Sequence, residues 1–109
     1  VWQACSYDGR VDTYLAIDVG GTKLAAGIVD AAGTIVVRDR VATPQREVWP
    51  ALSRLVSRVL AAAPEPPVGC GVGCAGPLDP VDHTVSPLHI PTWQRFPLRD
   101  EVNQLTGLE

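Results

Sequence analysis

Apolar and polar positions change their period along this chain, and each change marks an element. From Tyr14 to Val19 they alternate, with Leu15, Ile17 and Val19 on one side and Ala16 and Asp18 on the other, as in a half-buried strand. Gly20-Gly21-Thr22 breaks the alternation. A second apolar run, Leu24 to Val29, follows too soon for a crossover helix, so the two strands are predicted to be antiparallel neighbours. Asp30-Ala31-Ala32-Gly33 is the next turn, and Thr34 to Val41 is a third, β-branched strand. From Glu47 onward Val48, Leu52, Leu55, Val56, Val59 and Leu60 recur at three- and four-residue spacing, with Arg54, Ser57 and Arg58 between them. This pattern predicts an amphipathic helix of about four turns. Pro64-Glu65-Pro66-Pro67 ends it, because proline cannot continue the helical ladder. Val68 to Gly73 reads as a short buried strand, entered from a helix and so parallel to a strand of the meander. Prolines at 77, 80, 87, 91 and 97 leave room only for loops, until a last helix begins near Pro97 and runs through Leu105 to Gly107. Residues 1–13 hold no sustained period and read as a tail or extension ahead of a single unit over 14–109.

Composition narrows the classes of function. The chain has 109 residues, 46% of them hydrophobic and 19% charged, an ordinary globular make-up. A chain of that length buries roughly two thirds of its unfolded surface and needs no disulfides to hold a core. Lys and Arg number 9 against 12 Asp and Glu, and the acidic excess lies after residue 55, where only Arg58, Arg95 and Arg99 are positive. No basic stripe is present, so no nucleic-acid partner is expected. The longest apolar stretches are about six residues, far below the roughly 20 that span a bilayer, so no membrane association is expected. The first residues lack the basic start and long apolar run of a secretory signal. With Cys5, Cys70 and Cys74 as an odd set of thiols, the expectation is a reduced, cytoplasmic protein.

The segment richest in chemistry is Asp18-Val19-Gly20-Gly21-Thr22-Lys23, at the turn between the first two strands. Adjacent glycines let the backbone approach a ligand closely, and successive amides there can point at phosphate oxygens. Thr22 adds a hydroxyl, Lys23 a positive charge, and Asp18 a carboxylate able to hold Mg²⁺ directly or through water. The competing reading is a Gly-Gly hairpin with a surface lysine. A second cluster, Gly69 to Pro77, would let a polyol lie against bare backbone at Gly71, Gly73 and Gly76, or is a tight connection that needs small residues. Cys70, Cys74, His83 and His89 have poor spacing for a structural zinc site. Asp79, Asp82 and Asp100 read as solvated loop or helix-entry carboxylates.

Three motifs in order carry a family resemblance. Leu-Ala-Ile-Asp-Val-Gly-Gly-Thr-Lys from Leu15 to Lys23, with the strand that follows, resembles the opening of the ROK family of repressors and sugar kinases. Gly71-Val72-Gly73-Cys74-Ala75-Gly76-Pro77-Leu78-Asp79 is similar to that family's second glycine loop. Ser86-Pro87-Leu88-His89-Ile90-Pro91-Thr92-Trp93 resembles its Asn, apolar, Pro, Gly, Trp segment, with His89 where the family has Asn and Thr92 where Gly is usual.

The resemblance implies an α/β fold, the amino-terminal lobe of a ribonuclease-H-like, actin-like ATPase with a three-stranded antiparallel meander, a helix and a parallel strand. It implies an ATP-dependent, glucokinase-like hexose kinase. Asp18, Gly20, Gly21, Thr22 and Lys23 would then meet ATP phosphates and Mg²⁺, with Asp18 at the metal, and Gly73, Gly76 and His89 would face the sugar. The family's catalytic Asp, its zinc motif and its second lobe would follow Glu109, so the chain alone is expected not to turn over. Two other readings are a sugar-responsive repressor lobe and a non-catalytic interaction module. The first calls for a helix-turn-helix domain ahead of the lobe, and thirteen residues do not hold one. The second has no use for a bare phosphate-binding backbone. An apolar face left open by a missing lobe implies a homo-oligomer, through Trp93 or the carboxy-terminal helix.

Overall fold

A computed structural model describes residues 12–74 and 77–108; most of the predicted tail lies outside them. The elements run β1 (Thr13–Val19), β2 (Lys23–Asp30), β3 (Ile35–Ala42), α1 (Val48–Ala62), β4 (Gly69–Cys74) and α2 (Leu98–Thr106). They form one four-stranded sheet in the order β3-β2-β1-β4. β1 pairs antiparallel with β2, β2 antiparallel with β3, and β1 parallel with β4. The predicted meander, helix and parallel strand are therefore all present, with ends shifted by a residue or two.

Alternation decides which face of the sheet is covered. Leu15, Ile17 and Val19 of β1 and Leu24, Ala26 and Ile28 of β2 are buried, and they form one core with Val48, Leu52, Leu55, Val56 and Val59 of α1. The same alternation sends Ala16 and Asp18 to the opposite, exposed face. α1 stops where Ala63 turns to extended backbone (ψ 135°), the conformation that Pro64 imposes on the residue before it. α2 ends on Gly107 at φ 71°, whose amide donates to the Asn103 carbonyl at 2.7 Å. That left-handed cap is one that glycine adopts without a Cβ penalty. The β2–β3 turn closes on Asp30, whose carboxylate accepts from the Ala32 and Thr34 amides at 3.0 and 2.9 Å.

Two expectations are corrected. β4 was predicted to be buried, yet it is a half-exposed edge strand with Val72 39% exposed, because among the described strands only β1 pairs with it. Trp93 was expected on an open apolar face, yet it is 3% exposed. Its ring stacks on Phe96 with centroids 4.1 Å apart, and Phe96 in turn touches Trp49 of α1. The proline-rich segment thus folds back on the core. Bridges from Val85 to Leu78 and Phe96 tie the segment to itself, and Val85, Ile90 and Trp93 join Leu98 and Val102 of α2 in the buried set.

Candidate functional site

The β1–β2 turn begins where the last ladder pair, Val19 and Leu24, leaves four residues to reverse the chain. The Gly20 amide donates to the Lys23 carbonyl at 2.9 Å and closes the turn. A Cβ on Gly20 would lie 2.9 Å from that same oxygen, so a side chain there forces the turn apart. Gly21, Thr22 and Lys23 are exposed at its tip. The amides of Gly21 and Thr22 donate to no described residue. Two successive N–H groups without a partner among the described residues, on exposed residues of a closed turn, are the kind of donors an anion can use.

The carboxylate belongs to the same face. Strand register lines up Arg40, Ala25, Asp18 and Gly73 across β3, β2, β1 and β4. Asp18 Oδ1 lies 3.7 Å from the place a Cβ on Gly73 would occupy, so the glycine keeps the carboxylate open on that side. A shallow cavity of about 550 Å³ covers this face, floored by Ala16, Ala25 and Gly27 and edged by Asp18, Arg38 and Arg40. The single carboxylate of Asp18, at the strand end beside the turn, is a donor compatible with Mg²⁺, which takes one or two carboxylates and completes its shell with water and substrate phosphate. No group of three or more His, Cys, Asp or Glu side chains converges among the described residues.

Of the predicted sugar residues, His89 reaches this turn and Gly73 lies beside the strand that leads into it. His89 packs directly on Gly21: a Cβ on the glycine would fall 2.4 Å from His89 Cβ and 3.0 Å from its Cγ. Gly73 faces Asp18. Gly76 lies outside the described residues. The structure therefore brings Asp18, Gly20, Gly21, Thr22, Lys23, Gly73 and His89 to one end of the sheet, although His89 is remote in sequence. One residue there had no sequence signal: Thr43, just past β3, donates its hydroxyl to the Gly20 carbonyl at 2.7 Å and its amide to the Thr22 carbonyl at 2.9 Å.

The thiols lie on the β4 side. Burial pushes Cys70 up to about 11, and burial followed by the Asp18 charge raises Cys74. Both are poor nucleophiles at neutral pH, since the thiolate is the reactive form. A second cavity of about 720 Å³ lies between β4 and α2, lined by Cys70, Val72, Leu98 and Val102 among others, and none of the predicted site residues among the described ones lines it.

Comparison with known proteins places this geometry among relatives. The profile described as "ROK family" matches residues 14–109. The chain is 31% identical over 99 residues to a glucokinase of Streptomyces coelicolor, covering 86% of this chain and 30% of that protein. Among solved structures it is similar to a ROK family glucokinase from Streptomyces griseus in complex with glucose and AMPPNP, with a TM-score of 0.71, 34% identity and 88% of this chain against 31% of that one. It is also similar to a ROK hexokinase from Thermus thermophilus, with a TM-score of 0.78, 32% identity and 88% against 33% coverage. The chain thus spans about a third of the length of these relatives. Their likeness makes the sheet and helix an actin-like ATPase lobe.

Proposed function

This chain belongs to the ROK family, and from that premise we propose that its β1–β2 turn is the phosphate-binding element of an ATP-dependent, glucokinase-like sugar kinase that phosphorylates a hexose hydroxyl. The observation that carries the reading is the pair of amides on the exposed residues Gly21 and Thr22, without a partner among the described residues and on the turn that Asp18 leads into. The likeness to glucokinases, one of them in complex with glucose and AMPPNP, supports the choice of donor and acceptor.

The residues divide the work as follows. Gly21 and Thr22 donate their amides to terminal phosphate oxygens, and the Thr22 hydroxyl and Lys23 ammonium add a donor and a charge. Hydrogen bonds to an ionised group contribute about 1.5–3 kcal/mol each, so a few such contacts give measurable affinity. Asp18 would hold Mg²⁺, whose chemistry there would be to neutralise charge on the phosphates. A carboxylate committed to a cation is a poor base, so proton removal from the sugar is not assigned to Asp18. His89, packed on Gly21, and Gly73, beside Asp18, are assigned to the sugar together with Gly76. The imidazole can donate to or accept from a sugar hydroxyl.

Transfer is read as hexose-dependent ADP release by the protein that carries this chain. Asp18→Ala is expected to lower it by about a hundred-fold or more, the scale of losing a charge-stabilising group at the reacting centre. Turnover unchanged by that substitution would overturn the reading.

A further inference from the structure

We infer that Thr43 is a positioning residue that aims the phosphate-binding amides of the β1–β2 turn, an inference that rests on the reading of that turn given above. The strand register sets the geometry. Lys23 and Ala42 are the last ladder pair between β2 and β3, so the residue after β3 arrives beside the turn. Thr43 then bonds it twice, through its amide to the Thr22 carbonyl at 2.9 Å and through Oγ1 to the Gly20 carbonyl at 2.7 Å.

Peptide planarity turns those two bonds into an aiming device. Across a trans peptide the carbonyl and the following N–H point in opposite directions. Anchoring the Gly20 carbonyl on the Thr43 hydroxyl therefore directs the Gly21 N–H away from Thr43, outward from the turn. Anchoring the Thr22 carbonyl fixes the plane on the far side. The Gly21–Thr22 peptide is held between two fixed planes, and its N–H is the second donor of the proposed site.

The need for such a clamp follows from the sequence. Gly20 and Gly21 have the widest backbone freedom of any residues, which lets the turn form and equally lets its amides swing. Of the two bonds, only the hydroxyl bond depends on residue type, because any non-proline residue at 43 supplies the amide. A side chain with a hydroxyl on Cβ is required, and Ser or Thr supplies it. Orientation fixed before binding is worth most where donors must meet a charged group.

Thr43→Val, which keeps shape and removes the hydroxyl, and Thr43→Ser, which keeps the hydroxyl, form the test. Two readouts are taken on the intact chain: ¹⁵N backbone order parameters at Gly20–Thr22 without ligand, and affinity for MgAMPPNP. Retained amide dispersion across β1 and β2 certifies the fold of each variant. In Thr43→Val the order parameters are expected to fall from the rigid range of about 0.85 to below about 0.6, and affinity to fall about five- to ten-fold. Thr43→Ser is expected to restore both to within about two-fold of the original. Order parameters unchanged in Thr43→Val would overturn the inference whatever the nucleotide does. A loosened turn that binds MgAMPPNP as tightly as before would overturn the aiming role alone. Absence of MgAMPPNP binding by the unaltered chain would overturn the phosphate reading and, with it, this inference; the order parameters would still report separately whether Thr43 holds the turn.

Discussion

At the scale of the residue, the site depends on side chains that are missing as much as on those present. Gly21 lies so close to His89 that even a methyl group has no room, at 2.4 Å from His89 Cβ. Gly21→Ala is therefore expected to destabilise the protein by about 1–3 kcal/mol, the usual range for forcing a carbon into packed space. The closest clash is with His89 Cβ, ahead of the ring Cγ at 3.0 Å, so His89→Ala should relieve only a small part and His89→Gly should recover a large part. Urea denaturation of the single and double variants measures this coupling, and strict additivity would contradict the packing. His89 was legible as a candidate only through its place in a family motif. Its contact with Gly21 was not, because no local pattern links residues so far apart. Thr43 was invisible for a related reason. A threonine after a strand carries no signal, and its two bonds exist only because the β2–β3 register ends beside the turn.

At the scale of the element, hydrophobic period was an accurate guide wherever one face of an element is buried. The Leu52, Leu55, Val56 and Val59 stripe of α1 is buried as its spacing predicts, with Leu52, Leu55 and Val56 at 0% exposure. Leu55→Ala is expected to cost about 2–5 kcal/mol through lost transfer energy and the cavity left behind. Thermal unfolding followed by circular dichroism tests it, and a melting point within a degree of the original would place Leu55 outside the core. Period failed at β4 and in the segment from 77 to 97. A glycine-rich strand reads alike at the edge and the centre of a sheet, since no side-chain alternation distinguishes the two. The prolines of the later segment do exclude long regular elements. They do not prevent Val85, Ile90 and Trp93 from entering the core while isolated bridges and an aromatic stack order the segment itself.

At the scale of the whole molecule, the sheet's two faces have separate tasks. One carries the core against α1. The other carries a shallow cavity lined by Ala16, Ala25 and Gly27 together with Asp18, Arg38 and Arg40. The placement follows from alternation in β1 alone: with Leu15, Ile17 and Val19 inward, Asp18 must face outward at the strand's end, beside the turn. That much was readable in the sequence. The meeting of β1, β3, β4 and the His89 segment at one end of the sheet was not, because it depends on strand order and register. The chain spans 30% of the length of the Streptomyces coelicolor glucokinase it matches, so binding at this one end is its most direct observable.

The central claim is that the Gly21 and Thr22 amides are phosphate donors working with Asp18. It is tested by titrating ¹⁵N-labelled chain with MgAMPPNP and following backbone amide shifts residue by residue. The account predicts the largest, saturable changes at Gly21, Thr22 and Lys23, with adenosine failing to reproduce them and Asp18→Ala weakening them at least about ten-fold, or about 1.4 kcal/mol. Saturable binding that leaves those three amides unmoved, or that is indifferent to Asp18, would contradict it.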